Sequence, residues 1–292
     1  MAPINRRHIF TAVLLAAVAG CLALAPAAMA DFLTPEDGGS PNADRIDTLY
    51  KIVFAVGVVV FIGVEGTLLY TLIKFRARKG AVAAQIHGNT RLEIGWTVGA
   101  ALILVVLATV TFVALPGIRN PENSDAEASA VVAPVAAHGE KRVPPDGKAL
   151  NIEVTGMQYV WRYTYPDGDD NPLNNPYSYE EMVVPVGATV TLDIRATDVA
   201  HSWWIPELGG KMDAIPGYTN YTWFKVTKPG VYRGQCAELC GRNHANMVAQ
   251  VRAVPPAEYE QYIERLRNDI SAANAAAAES RRKLDADPQA TP

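Results

Sequence analysis

The sequence predicts a two-helix transmembrane hairpin followed by an all-β sandwich. Two apolar stretches, Ile52 to Ile73 and Ile94 to Leu115, are each long enough to cross a bilayer as a helix. Beyond them, short strand-like runs alternate with Gly and Pro, the pattern of a small antiparallel sandwich. Near the end of the chain one loop gathers two thiols, an imidazole and a thioether, which points to metal chemistry. At 292 residues and 49% hydrophobic content, the chain has room for a membrane part and one globular domain. A net charge of -4 argues against a nucleic-acid partner. Three cysteines, two of them in that loop, provide no disulfide framework. No Cys-x-x-Cys-His run occurs, so no covalently attached haem is expected.

Residues 1–30 read as a signal peptide. Arg6, Arg7 and His8 form its basic start, an apolar run follows from Ile9, and Ala28-Met29-Ala30 is a small-residue cleavage site before Asp31. Val18-Ala19-Gly20-Cys21 resembles a lipoprotein box and gives the competing reading, in which Cys21 is lipidated. Residues 31–51 form an external segment bearing Glu36, Asp37, Asp44 and Asp47. The hairpin occupies 52–115, with spans 52–73 and 94–115. Its loop, 74–93, carries Lys74, Arg76, Arg78, Lys79 and Arg91. The basic loop belongs in the cytoplasm and both flanks outside, which puts everything after the second span on the outer face. Glu65 lies inside the first span, where an ionised carboxylate is costly, so it stays protonated or faces a protein partner. Glu93 opens the second span, where the helix dipole favours a carboxylate.

Residues 116–148 are an external linker, and from Pro121 onward they are rich in Ala, Val, Pro and charges without a sustained period, as in partly disordered segments. The sandwich spans 149–256. Its strands are expected at Leu150 to Tyr165, Glu181 to Val184, Thr189 to Ile194, Tyr221 to Val226, Gly230 to Gln235 and Met247 to Val254. Pro185-Val186-Gly187 and Pro229-Gly230 punctuate them. Residues 257–292 hold a helix over Glu258 to Ile270, with Tyr259, Tyr262, Ile263 and Leu266 at helical spacing, then an alanine-rich, disordered tail.

The loop reads Cys236-Ala-Glu238-Leu-Cys240-Gly-Arg-Asn-His244-Ala-Asn-Met247, with His201 upstream in Asp-Val-Ala-His-Ser-Trp-Trp. Two cysteines in an exported domain are by default a disulfide, and a Cys/His cluster is next most often structural zinc. Zinc has little use for a thioether, however. Thiolate, imidazole and weak thioether together are the set that copper electron-transfer sites select, and two thiolates can bridge two coppers. Trp203, Trp204 and Ile205, directly after a ligand, are suited to an apolar shell.

These residues resemble the binuclear copper (CuA) segment of subunit II of haem–copper cytochrome c oxidases. His201-Ser-Trp, Lys211-Met-Asp213-Ala-Ile-Pro-Gly217 and Gly234-Gln-Cys236 through Met247 follow that family in order and spacing. The resemblance runs from about residue 45 to 265. It implies a cupredoxin-like Greek-key sandwich. It implies that Cys236 and Cys240 bridge the coppers, and that His201, His244 and Met247 complete the shell. Glu238 would add its backbone carbonyl and turn its carboxylate to a magnesium ion shared with the catalytic subunit. Asn89 to Thr97 resembles the family's opening of the second helix, whose glutamate, here Glu93, lies at a proton entrance; Gly99-Ala100 stand where the family often has a proline. Gly156-Met-Gln-Tyr159-Val-Trp161 resembles the aromatic strand whose first tryptophan contacts the electron carrier. Here Tyr159 stands in that place, and strand alternation would put it on one face with Trp161.

The function this implies is electron input to a membrane-bound, proton-translocating oxidase of the bacterial cell membrane. Cytochrome c would be the donor, and haem in subunit I the acceptor, with subunit III as a further partner. Asp167, Asp169, Asp170, Glu180, Glu181 and Asp198 could attract a basic carrier. A quinol oxidase subunit would lack the copper ligands. The CuA subunit of a nitric oxide reductase-type complex is the alternative within redox chemistry. A membrane-anchored copper delivery protein is the alternative outside it, and it would need exposed, exchangeable ligands.

Overall fold

The computed structural model describes residues 38–286 except 78, 81, 83, 138 and 167–173. The signal peptide, Cys21, Asp167, Asp169, Asp170 and the last residues of the tail lie outside the described residues. Helix α1 runs over Pro41–Lys74 and α2 over Thr90–Arg119, each extending the expected span outward at both ends. Proline at the first position of α1 suits a helix start, and the Asn89 side chain caps α2 by accepting from the Leu92 N–H at 3.2 Å. Both helices are long and apolar enough to cross a membrane, and their apolar windows are uncovered by the other described residues.

The sandwich follows. Strands β1 (Ala133–Pro134), β2 (Lys148–Met157), β3 (Val160–Thr164), β4 (Tyr177–Tyr179), β6 (Thr189–Ala196) and β9 (Asn220–Lys225) make one sheet, in the order β4-β3-β2-β6-β9 with β1 on β2. Strands β5 (Glu181–Pro185), β7 (His201–Trp204), β8 (Met212–Ala214), β10 (Gly230–Cys236) and β11 (Val248–Val254) make the other, in the order β5-β11-β10-β7-β8. Alternation decides which face is buried. Val190, Leu192 and Ile194 of β6 are wholly buried, while Asp193 and Arg195 on the other face are more exposed. Ala249, Val251 and Ala253 of β11 do the same from the opposite sheet. The chain crosses repeatedly between sheets, so the fold is the expected hairpin plus cupredoxin-like Greek-key sandwich.

Four expectations need correction. The sandwich is not purely antiparallel, because β2 pairs with β6 and β5 with β11 in parallel. The single strand expected over Leu150 to Tyr165 is a hairpin that turns at Gln158-Tyr159. The linker is not structureless where described. Lys141 from it is buried against Asp193 (2.7 Å) and Asn151 (2.7 Å), and Thr189 donates to the Glu122 carbonyl at 2.6 Å. The C-terminal helix, α3, covers Pro256–Ala286, because the alanine run has high helix propensity and nothing there breaks it.

Hydrogen bonds fix the hairpin's outer end to the sandwich. Asn42 donates to the Trp223 carbonyl at 2.8 Å, the Lys225 N–H donates to Ser40 at 3.0 Å, and the Trp223 indole donates to the Ile118 carbonyl at 2.9 Å. Two of these three reach back from β9 and one reaches forward from α1. Arg45 bridges to Glu122 at 2.6 Å beside them.

Candidate metal centre

The thiol-rich segment connects β10 to β11, which pair in register from Gly230↔Ala253 to Gln235↔Val248. Strand β7 lies on the other side of β10, with Cys236 opposite Trp203. His201, at the start of β7, is thereby delivered beside the loop. Backbone bonds close the loop on itself, from Cys236 N–H to the Met247 carbonyl (2.8 Å) and from His244 N–H to the Gly241 carbonyl (3.2 Å), and tie it to β7, from Ala237 N–H to the Ser202 carbonyl (2.8 Å).

The donor atoms converge. Cys236 Sγ lies 3.9 Å from Cys240 Sγ, 3.9 Å from His201 Nδ1 and 3.2 Å from the Glu238 carbonyl oxygen. Cys240 Sγ lies 3.6 Å from His244 Nδ1 and 3.9 Å from Met247 Sδ. A disulfide would hold the sulfurs about 2 Å apart, so these are two separate thiols. His201, Cys236, Cys240 and Met247 are each at most 4% exposed. Burial, then the neighbouring Cys236, pushes the Cys240 thiol up to about 11. Two soft sulfurs, two imidazole nitrogens, a thioether and a carbonyl around one buried space fit copper better than zinc.

The surroundings orient the ligands. His201 Nε2 meets Asp198 Oδ1 at 2.9 Å, which leaves Nδ1 as the nitrogen turned to Cys236. For Asp198, burial alone would raise the carboxyl. Hydrogen bonds from His201 and from the Gln158 and Val199 N–H groups outweigh it and hold the group below its ordinary range. The Trp161 ring stands edge-on to the His201 ring at 5.8 Å, and Trp203 stacks on Phe224 at 6.1 Å. A Cβ on Gly156 would come 2.9 Å from Trp161 and 3.1 Å from His201, so only glycine lets this indole and imidazole pack there.

Tyr159 and Trp161 do not share a strand face. Tyr159 sits in the β2–β3 turn, partly buried, and its hydroxyl would lie 2.5 Å from a Cβ on Gly241 of the metal loop. Trp161 is wholly buried under the same end of the sandwich, so its ring touches a ligand and not the surface. Sequence reasoning missed Gln158 and did not separate Asp198 from the other acidic residues. The three-residue step from Asp198 to His201 was the signal available for the latter.

Family matches cover the segment that carries these donors. The family profile described as "Cytochrome C oxidase subunit II, periplasmic domain" matches residues 171–254, and "Cytochrome C oxidase subunit II, transmembrane domain" matches residues 28–114. A probable cytochrome c oxidase subunit 2 of Rickettsia bellii is 33% identical over 239 residues, covering 77% of this chain and 80% of that protein. The chain belongs to the cytochrome c oxidase subunit II family. The cytochrome c oxidase subunit 2 of Cereibacter sphaeroides is 29% identical over 272 residues, covering 80% of this chain and 82% of that protein. A solved periplasmic domain of subunit II of cytochrome oxidase (CoxB) of Bradyrhizobium japonicum is 35% identical, covers 41% of this chain and 95% of that chain, and superposes with a TM-score of 0.39.

In this subunit II chain the remaining acidic candidates occupy different settings. The Glu238 carboxylate is exposed, while its carbonyl faces Cys236. Glu93 is exposed and folds back to accept from the Asn89 N–H at 3.2 Å, so it closes the first turn of α2. Glu65 is exposed on the surface of α1. Glu181 is engaged with Arg252 (3.2 Å) and Gln250 (2.7 Å), which diminishes it as a docking charge.

Proposed function

We propose that this chain is the subunit through which electrons enter a proton-translocating cytochrome c oxidase. Its metal site is a binuclear copper (CuA) centre held by Cys236, Cys240, His201, His244, Met247 and the Glu238 carbonyl. The convergence of these donors on two unlinked, buried sulfurs 3.9 Å apart carries the reading. Copper bound there supplies one-electron transfer, with the charge change shared over two ions. The chain's own part is to exclude water, through buried Met247, Trp203 and Ile205, and to hold the imidazole, through Asp198. Buried ligands suit retention over release, which counts against a copper delivery protein.

Family membership supports the remaining assignments: cytochrome c as donor, haem in subunit I as acceptor and site of O2 reduction, subunit III as a further partner, and the sandwich on the outer face of the bacterial membrane. The Glu238 carboxylate, which is exposed, is the proposed ligand of a magnesium ion shared with subunit I. Glu93, at the cytoplasmic start of α2, is the candidate group at a proton entrance, in addition to its capping bond. The test is to load the detergent-solubilised full chain with copper. Two coppers per chain and a purple, mixed-valence spectrum are expected. A single-copper blue spectrum, or stoichiometric zinc retained in preference to copper, overturns the assignment.

A further inference from the structure

The β2–β3 turn touches the metal loop through a residue that is not itself a donor to the site. The Gln158 side-chain Nε2 donates to the Cys240 carbonyl at 2.5 Å, and its backbone N–H donates to Asp198 Oδ2 at 2.6 Å. The other oxygen of Asp198 takes His201 Nε2. One residue, remote from both in sequence, thus joins the peptide that carries Cys240 to the carboxylate that orients His201. The loop is shaped to receive it. Gly241 follows Cys240 with φ of 134°, and a Cβ there would come 2.9 Å from Gln158 Nε2. Bare backbone at that point lets the amide reach the carbonyl. Gln158 is exposed, so packing does not explain why its side chain is directed at this carbonyl.

We propose that Gln158 is a positioning residue of the metal centre, fixing the Cys240 peptide and, through Asp198, the His201 ring from a turn outside the ligand loop. This rests on the reading of the loop as a copper site, and it predicts effects both with and without metal. Gln158→Met keeps the length of the side chain and removes only its donor to Cys240, leaving the backbone N–H on Asp198. In the metal-free full chain in detergent, amide hydrogen exchange at Ala237, His244 and Met247 should quicken about fivefold, the scale of one lost hydrogen bond. The copper-loaded variant should keep two coppers but show a changed visible spectrum and a shifted reduction potential. Gln158→Glu, which sets a carboxylate against the carbonyl, should move the exchange and the spectrum further in the same direction. Unchanged loop exchange overturns the proposal, and so does faster exchange with spectrum and potential unaltered, since the amide would then tether the loop without setting ligand geometry. A parental chain that binds no copper pair would sink the metal reading instead. The exchange comparison needs no metal and would still decide whether Gln158 holds the loop.

Discussion

In the sandwich, His201, Cys236, Cys240 and Met247 are at most 4% exposed and every donor atom lies within 3.9 Å of another. In the hairpin, Glu65 and Glu93 are exposed, and both spans are left uncovered by the described residues. The first region carries its geometry within this chain, through strand register, loop bonds and Asp198. The second exposes its acidic groups and apolar spans to whatever lies outside this chain. Substitutions in the sandwich should therefore read out on the isolated chain, and those in the hairpin only in the assembled oxidase.

The largest effect is expected at the two thiols of the loop. Cys236→Ser or Cys240→Ser should abolish the binuclear spectrum outright, because a hydroxyl is a poor soft-metal ligand and no other thiol stands within reach among the described residues. Retention of two coppers with an unaltered spectrum would break the account of the site. Glu238→Gln separates the carbonyl and the carboxylate of one sandwich residue, the second of which reads out only in the assembled oxidase. The copper spectrum should stay nearly intact because the proposed ligand is the carbonyl, whereas manganese substituted at the proposed magnesium site should be lost from the whole complex. Manganese binding that matches the parent would show that the carboxylate faces elsewhere.

Next in size is the proposed electron-entry surface. Tyr159, against Gly241, is the partly exposed ring of the turn and Trp161 the buried one. Tyr159→Ala should slow electron transfer from cytochrome c at least about tenfold, roughly 1.4 kcal/mol in barrier, and Tyr159→Trp should be tolerated. Stopped-flow reduction of the copper centre measures it, and a parental rate for Tyr159→Ala would place the contact elsewhere. Glu93→Ala should slow steady-state turnover of the oxidase by a smaller factor while leaving copper reduction unaffected. Equal slowing of both would indicate that loss of its bond to Asn89 disturbs the hairpin's assembly, making the residue a cap and nothing more.

The convergence of the loop's donor atoms was legible because they are close in sequence, and spacing within one short loop survives folding. Only His201 had to be brought from elsewhere, and the register of β7 on β10 does that. The turn at Gln158-Tyr159 was not legible, because neither residue is a turn former and the alternation runs on through both. Strands β7 and β8 were missed for a related reason: each is too short to display a period. The linker's order depends on tertiary contacts such as Lys141–Asp193, which no local pattern displays. The tail of α3 is different. Its alanines declared a helix, but the apolar spacing stopped, and exposure was mistaken for disorder.

The smallest expected effect tests the boundary between packing and electron transfer. Trp161 is wholly buried, stands against His201, and its indole N–H finds no hydrogen-bond partner among the described residues. Trp161→Phe would leave a cavity, which costs about 1–2 kcal/mol at such a site. It also removes an unpartnered buried donor, offsetting about 1 kcal/mol of that. The net loss should be about 1 kcal/mol or less in thermal unfolding of the chain, with copper reduction close to the parental rate. A tenfold slower reduction with unchanged stability would mean that electrons pass through this indole, and the distinction drawn between the exposed and the buried ring would fall.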